Sequence, residues 1–299
     1  MTVGALRLGY FADGPWAHRA LEMVARDPSL QLAFLCVRYP QGDAHLEARA
    51  RDLGVPLFKV KDVNAAEAMD GFAALGADIF VSMSFDQIFR RPIINLPRLR
   101  TINCHAGKLP FYRGRNVLNW VLINDEREFG ITVHYVDEGI DTGDIILQRV
   151  FPISDEDRYE TLLTRAHEGC AQVLYDALKT IQRGDIAAVP QRTIHPVGFY
   201  CGIRREGDER LDWAQPSRAI FNFVRAICPP GPAARTSLRG APMRVLRVRE
   251  IPGAPSYRGT VGEVVGRGDT GFVVKTLDST IEVTAFEYDG KVRIGDRFE

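Results

Sequence analysis

The sequence lacks several features that would place it in a specialised class of protein. Its 299 residues carry 38 basic and 38 acidic side chains, so no net charge draws the chain towards nucleic acid or an anionic membrane. No apolar run approaches the roughly 20 residues of a membrane span. The N-terminus has no basic region followed by a long apolar stretch, so we expect no signal peptide. Any anionic ligand must therefore be bound by local groups.

Cysteine is scarce and scattered, and histidine is scarce too. The five cysteines form no Cys-x-x-Cys motif, and their odd number argues against a disulfide framework and against a zinc site. We therefore expect reduced thiols and a cytoplasmic protein. Apart from His105, the histidines lie in unrelated local contexts without metal-ligand spacing, so we expect no metal. They are His18, His45, His134, His167 and His195.

Apolar runs and amphipathic stretches alternate over the first two thirds of the chain. Runs such as Ala5–Phe11 and Asp78–Ser84 are typical of buried strands, and segments with helical spacing follow them. This alternation predicts an α/β fold whose mostly parallel sheet is covered on both faces. In such sheets ligands bind beyond the carboxyl ends of the strands.

The pattern changes towards the C-terminus. We predict a first domain over residues 1–190, a linker with little periodicity over 191–207, and a second domain over 208–299. The second domain begins with one helix and continues as short strands separated by turns. That spacing is typical of a small β-barrel.

Two segments bring together residue types that suit attack on a carbonyl group. Asn103 and His105 project to the same side of a predicted strand, whereas Cys104 projects to the other. An amide stabilises a developing oxyanion, and an imidazole transfers protons near neutral pH. Asp141, in a loop that follows a later strand, is placed to orient the histidine and to balance its charge.

These segments, "INCHAGKLPFYRG" and "DEGIDTGD", resemble the formyltransferase family that uses 10-formyltetrahydrofolate. The family pattern is Asn-x-His, Leu-Pro, a glycine shortly afterwards and an aspartate in a later loop. The positions that match it here are Asn103, His105, Leu109, Pro110, Gly114 and Asp141. The resemblance covers most of the first 190 residues and continues more weakly through "LDWAQPSRAIFNFVRAICPPGPAARTSLRG". One departure is Gly107, where many members carry serine.

The resemblance implies a Rossmann-like formyltransferase domain followed by a small OB-like barrel. It also implies formyl transfer from 10-formyltetrahydrofolate, without a metal, to a primary amine through a tetrahedral intermediate. Asn103 and His105 would stabilise the oxyanion, His105 would accept the amine proton, and Asp141 would orient His105. The residues predicted to line the folate slot are Met83, Phe85, Ile88, Val136, Gly139 and Ile140.

The acceptor amine is predicted from local charge and from the same family likeness. Basic residues follow His105 closely and suit a diphosphate. The chain also lacks the basic insertion that methionyl-tRNA formyltransferases carry after the second strand. We therefore predict an acceptor of the dTDP-, UDP- or GDP-4-amino-4,6-dideoxy sugar type. We also predict a role in O-antigen biosynthesis and a homodimer. The predicted substrate-binding residues are Gly14, Lys108, Tyr112, Arg113, Arg115, Asn116, Tyr200, Arg204 and Arg205.

Three other functions stay open on the sequence alone. The principal alternative is a methionyl-tRNA formyltransferase, which must bind a polyanion through lysine and arginine. A hydrolase that releases formate from the folate would need no acceptor amine. A binding module without catalysis would not need an acid–base pair such as His105 and Asp141.

Overall fold

The structure is a computed structural model that describes residues 4–299, and its internal contacts divide the chain into two compact units. The first unit comprises the residues up to Arg115 together with Phe129–Phe151 and Thr164–Cys201. The second comprises Asn116–Glu128, Pro152–Leu163 and Gly202–Glu299. The chain therefore leaves the first unit and returns to it twice. The predicted domain boundaries at residues 190 and 208 stay predictions.

The first unit contains a seven-stranded sheet and a small parallel ribbon. The strands are β1 (Leu6–Ala12), β2 (Leu30–Cys36), β3 (Leu57–Phe58), β4 (Ile79–Met83), β5 (Thr101–His105), β6 (Arg113–Gly114), β7 (Glu128–Tyr135), β8 (Ile145–Pro152) and β9 (Tyr200–Cys201). The sheet order is β3-β2-β1-β4-β5-β7-β8, and β6 pairs with β9. Strands β1 to β5 of the sheet run parallel, and β7 is antiparallel to β5.

Eight helices connect or cover these strands and those of the second unit. They are α1 (Gly14–Arg26), α2 (Ala44–Leu53), α3 (Ala66–Ala74), α4 (Arg91–Ile94), α5 (Val117–Ile123), α6 (Tyr159–Arg183), α7 (Gln191–Ile194) and α8 (Ser217–Ile227). The predicted linker thus contains α7 and β9. None of the helices within residues 4–299 has both the length and the hydropathy needed to cross a membrane.

A cluster of phenylalanine rings fills the core beneath one face of the sheet. Phe11 lies at its centre, with its ring centroid 4.9–5.6 Å from five neighbouring phenylalanine rings. Such aromatic pairs stabilise a core beyond the apolar area that they bury. Gly9 is required beside the cluster, because a Cβ atom there would lie 2.3 Å from the Phe34 ring.

The second unit is built on a five-stranded antiparallel sheet in the order β10-β11-β14-β13-β12. Its strands are β10 (Ala234–Leu238), β11 (Ala241–Glu250), β12 (Val264–Arg267), β13 (Phe272–Lys275) and β14 (Thr280–Glu287). Arg297 pairs with Glu263 beside β12, and Phe298 pairs with Leu238 of β10, so the C-terminal residues bridge the two edge strands. Together the two sheets confirm the predicted α/β fold with a small C-terminal β-domain.

The register of the large sheet aligns four residues across neighbouring strands. Phe11 of β1 pairs with Ser82 of β4, Ser82 pairs with Asn103 of β5, and Asn103 pairs with His134 of β7. The carboxyl ends of the parallel strands lie at one edge, where ligands bind in folds of this kind. His105 is the last residue of β5 and therefore lies at that edge.

Candidate active site

Strand β5 presents a polar face and an apolar face, as the alternation of its residues predicts. Asn103 and His105 are both part-buried on one side. Cys104 is buried on the other side, where its Sγ atom lies 3.6 Å from the carbonyl oxygen of Cys170 in α6. The apolar side fixes the strand in the core, so the amide and the imidazole are presented by a rigid element rather than by a mobile loop.

The Asp141 carboxylate lies against both of these side chains. Its Oδ1 atom is 3.4 Å from Asn103 Nδ2, and its Oδ2 atom is 3.6 Å from His105 Nδ1. Oδ2 also accepts a 2.9 Å hydrogen bond from the backbone N–H of Gly114. Asp141 has a positive φ of 54°, a conformation that costs energy for a residue other than glycine. The structure thus brings together the three residues for which catalytic roles were predicted.

His134 is a fourth member of this group, and its classification among histidines in unrelated contexts is wrong. Its Nε2 atom lies 3.4 Å from Asp141 Oδ1 and 3.3 Å from Asn103 Nδ2. Its Nδ1 atom is 2.8 Å from the carbonyl oxygen of Tyr135, which can only accept a hydrogen bond, so Nδ1 carries the proton. No sequence signal places His134 here, because only the antiparallel pairing of β7 with β5 sets it opposite Asn103.

The charge of Asp141 is stabilised although the carboxyl is mostly buried. Burial by itself would raise the pKa of Asp141. Coulombic attraction to His105, the contacts with His134 and the N–H of Gly114 outweigh burial and hold that pKa well below its usual range. The site therefore contains a permanently ionised carboxylate between two imidazole rings at neutral pH.

His105 is fixed by a close approach that only glycine at position 107 permits. Its Nε2 atom donates a 2.7 Å hydrogen bond to the carbonyl oxygen of Tyr112. A Cβ atom on Gly107 would lie 2.4 Å from both His105 Nε2 and that carbonyl oxygen. The carbonyl of Gly107 is itself held by a 2.7 Å hydrogen bond from Thr132 Oγ1. This packing gives a physical reason for glycine at the position where many formyltransferases carry serine.

The arrangement can perform acid–base chemistry on a carbonyl group. It combines an amide donor, an imidazole that transfers protons and an ionised carboxylate that balances imidazolium charge. Among the described residues, no group of three or more His, Cys, Asp or Glu side chains is arranged to hold a metal ion.

The chain resembles known proteins in sequence and in structure. Residues 34–178 match the model named "Formyl transferase", and residues 204–295 match "Formyl transferase, C-terminal domain". A methionyl-tRNA formyltransferase of Citrifermentans bemidjiense is 31% identical over 245 residues, which cover 82% of this chain and 75% of that protein. The chain belongs to the formyltransferase family. This family transfers one-carbon groups and uses 10-formyltetrahydrofolate as cosubstrate.

Solved structures share the fold of this formyltransferase. The sugar 3N-formyl transferase WlaRD, crystallised with dTDP and 5-N-formyl-THF, has a TM-score of 0.68 at 18% identity, over 93% of this chain and 97% of that one. A variant of HypX from Aquifex aeolicus has a TM-score of 0.61 at 19% identity, over 96% of this chain. The formyltransferase spans only 47% of the HypX chain. At identities this low, the structural likeness shows a common fold alone.

The residues predicted to line the folate slot differ in exposure. Met83 is buried at the end of β4 and accepts a contact from the Tyr10 hydroxyl. Phe85 and Val136 pack on the margin of the phenylalanine cluster. Ile88 is 70% exposed and Ile140 is 55% exposed. Neither isoleucine is therefore an ordinary core residue.

Gly139 is also in the loop that carries Asp141. Its N–H donates to Asp137 Oδ1, and a Cβ atom there would lie 2.1 Å from Thr142 Oγ1. The loop is thus folded tightly on itself just before Asp141.

Six of the predicted substrate-binding residues lie in the first unit. Gly14 begins α1 with a φ of 64°, and Tyr112 is buried with its carbonyl bound to His105. Arg113 lies with its guanidinium 5.5 Å from the centre of the Tyr200 ring. Arg115 is exposed, and in residues 4–299 its side chain forms no hydrogen bond or ion pair. The sixth residue, Lys108, lies two positions before Pro110 in the turn that follows β5.

The other three lie in the second unit and line one cavity of about 360 Å³. The Asn116 side chain accepts a 2.9 Å hydrogen bond from the backbone N–H of Arg204. The Arg204 guanidinium lies over the rings of Trp120 and Phe223, and burial lowers its pKa. Arg205 is exposed beside it. Binding of substrate by these residues stays a prediction.

Proposed function

We propose that this formyltransferase transfers the formyl group of 10-formyltetrahydrofolate to the primary amine of a nucleotide-linked amino deoxysugar. The observation that carries this proposal is a pair of arginines that flank, in the chain, the glycine bound to the Asp141 carboxylate. Gly114 donates its N–H to Asp141, and Arg113 and Arg115 flank Gly114 in the chain. Cations at this place suit a compact diphosphate whose sugar amine reaches the formyl carbon.

The reaction begins when the acceptor amine attacks the formyl carbon of the folate. The carbonyl oxygen becomes an oxyanion, which the Asn103 amide stabilises, because the N–H of His105 is already bound by the Tyr112 carbonyl. A preorganised donor of this kind contributes about 3 kcal/mol to transition-state stabilisation. The tetrahedral intermediate then collapses, the bond to the folate nitrogen breaks, and that nitrogen takes up a proton.

Proton transfer is assigned to His105. Because Nε2 donates to the Tyr112 carbonyl, Nδ1 is the nitrogen that can accept the proton of the amine, directly or through water. Asp141 Oδ2 lies 3.6 Å from Nδ1 and faces the imidazolium that forms. The ionised carboxylate therefore orients the ring and balances its charge before the proton is delivered to the folate nitrogen.

The folate is assigned to the apolar surface next to this group. Ile88 and Ile140 expose large apolar side chains that a bound pterin would remove from water. Met83, Phe85 and Val136, which are buried or half-buried, complete the predicted folate slot. The family resemblance implies that backbone groups bind much of the polar edge of the pterin.

The arginines of the second unit argue against an RNA substrate. Binding of a nucleic acid depends on cations that are free to neutralise phosphates. Of the five arginines between positions 235 and 249, four have acidic partners. The pairs are Arg235–Glu209, Arg239–Asp296, Arg244–Glu287 and Arg249–Glu282. The row of arginines on β11 is thus largely neutralised by its own neighbours.

Methionyl-tRNA formylation is the second candidate, because the relative with 31% identity carries that name. WlaRD supports the sugar reading only as a protein of the same fold. A cytoplasmic location, a homodimer and a role in lipopolysaccharide O-antigen biosynthesis stay predictions of the same proposal. The five free thiols are consistent with the location.

A panel of acceptors tests the proposal. The enzyme is incubated with 10-formyltetrahydrofolate and, separately, with dTDP-, UDP- and GDP-linked 4-amino-4,6-dideoxy sugars and methionyl-tRNA. We expect at least one sugar nucleotide to gain one formyl group by mass, and His105→Ala to abolish that gain. Formylation of the tRNA alone would reject the sugar proposal. Formate release that no amine accelerates would indicate a hydrolase.

A further inference from the structure

Gln191 is a buried amide whose hydrogen-bonding groups are all engaged near the catalytic carboxylate. It is the first residue of α7 and is only 3% exposed. Its Oε1 atom accepts from Arg113 Nε at 3.1 Å and from Arg113 Nη2 at 2.7 Å. Its Nε2 atom donates at 2.8 Å to the carbonyl oxygens of Asp141 and Gly143. Two donors and two acceptor positions are the full capacity of an amide.

The Nε2 end of this amide fixes the backbone of the catalytic loop. Asp141 is held in a left-handed conformation, which persists only where the surroundings over-determine it. By binding the carbonyls on both sides of Thr142, Gln191 supplies that constraint. Without it, two carbonyl groups would lose their partner, and the Asp141 carboxylate would shift relative to His105 and to the N–H of Gly114.

The Oε1 end fixes a residue on the acceptor side. It holds the Arg113 guanidinium, which also lies beside the Tyr200 ring. Arg113 precedes Gly114, whose N–H binds the Asp141 carboxylate. The contacts therefore connect the Asp141 backbone, through Gln191, Arg113 and Gly114, to the Asp141 side chain.

We propose that Gln191 is a positioning residue that aligns the catalytic carboxylate with the acceptor-binding arginine. Its Nε2 end sets Asp141 and therefore affects kcat. Its Oε1 end sets Arg113 and therefore affects KM for the acceptor. The inference rests on the proposed role of Asp141, and it applies to whichever acceptor the enzyme uses.

Two substitutions separate the two ends of the amide. Gln191→Leu keeps the approximate volume and removes all four hydrogen bonds, and we expect kcat to fall by about 30-fold through misplacement of Asp141. KM for the acceptor should rise about fivefold, and KM for the folate should stay within about twofold. Gln191→Glu retains an acceptor for Arg113 but sets a carboxylate oxygen against two carbonyls. It should lower kcat as Leu does and leave KM for the acceptor near its original value.

The pH profile provides a readout that a merely structural role would not change. Displacing the Asp141 carboxylate removes negative charge that stabilises the imidazolium formed on His105, so the acid limb of the kcat profile should move to lower pH in Gln191→Leu. Gln182→Leu is the matched control. The Gln182 amide also donates to two backbone carbonyls, those of Gly4 and Ser29, but these residues precede β1 and β2 at the opposite edge of the sheet.

The outcomes are distinguishable. A kcat for Gln191→Leu within twofold of that for Gln182→Leu, or an unchanged acid limb, overturns the inference. If Asp141→Ala retains the original rate, the proposed role of Asp141 fails instead. Folate binding, followed by fluorescence, shows whether each variant is folded. If Gln191→Leu does not fold, Gln191→Glu decides, because a kcat at the original level in that variant also overturns the inference.

Discussion

The main electrostatic interactions of this site all involve the Asp141 carboxylate. A buried carboxylate is unfavourable unless neighbouring charges and donors compensate for lost hydration. Here two imidazoles and one backbone N–H provide that compensation, and Gln191 holds the backbone beneath it. The same contacts that keep the carboxylate ionised also place it beside His105. Stability and catalytic geometry therefore depend on the same few interactions.

The lowered pKa of Asp141 predicts a pH-dependent contribution to stability. Because the folded-state pKa lies below the unfolded value of about 3.9, the ionised carboxylate stabilises the fold fully above about pH 5. This contribution is lost progressively as the pH falls below about 4. The free energy of unfolding of the wild-type enzyme and of Asp141→Asn, measured in urea from pH 3 to 7, should therefore differ most at the upper end. A difference that is constant over this range would contradict the assigned cause.

The elements of the first unit could largely be predicted from the sequence, and so could part of the site. Asn103 and His105 were predictable because alternation along one strand places them on one side. His134 was not, because its neighbourhood depends on the antiparallel pairing of β7 with β5. Gln191 lies 50 positions after Asp141, in a segment without periodicity. No local pattern reveals contacts of that kind, since tertiary packing alone creates them.

In the second unit, a buried lysine binds one turn of the antiparallel sheet. Lys275, at the end of β13, has no exposed surface. Its ammonium donates to the carbonyls of Thr276, Leu277 and Ser279 and lies 4.4 Å from the centre of the Tyr257 ring. The ammonium thus binds three backbone carbonyls of the β13–β14 turn. No carboxylate is paired with it in the described part of the chain.

We expect Lys275→Met to destabilise the protein by about 2 kcal/mol, because three carbonyl groups lose their donor. Lys291→Met, at an exposed position, is the matched control and should change stability by less than about 0.5 kcal/mol. Urea unfolding followed by tryptophan fluorescence measures both. Equal stability of the two variants would show that the ammonium does not hold the turn.

For the whole molecule, the absence of net charge and of disulfides has direct consequences. A chain with equal numbers of acids and bases offers no general attraction for a polyanion, and most arginines between positions 235 and 249 are paired. All five thiols are free and buried. Burial raises the pKa of Cys36 to about 12 and that of Cys201 to about 11. The thiols are therefore structural apolar groups rather than nucleophiles.

We expect the native enzyme to react at pH 8 with less than one equivalent of a thiol reagent such as DTNB within minutes. The thiols are shielded from solvent, burial raises the pKa of Cys36 and Cys201, and only the thiolate reacts. In denaturant all five should react. Rapid modification of two or more thiols in the native enzyme would mean that the buried thiols become exposed readily in solution.

On our proposal, the enzyme transfers the formyl group to an amine on a nucleotide-linked sugar. An internal competition tests it most directly, with methionyl-tRNA and the best sugar nucleotide of the panel in one reaction at limiting 10-formyltetrahydrofolate. The proposed function predicts that the formyl group appears on the sugar nucleotide, with a kcat/KM at least about 100-fold higher than for the tRNA. Transfer mainly to the tRNA would contradict it.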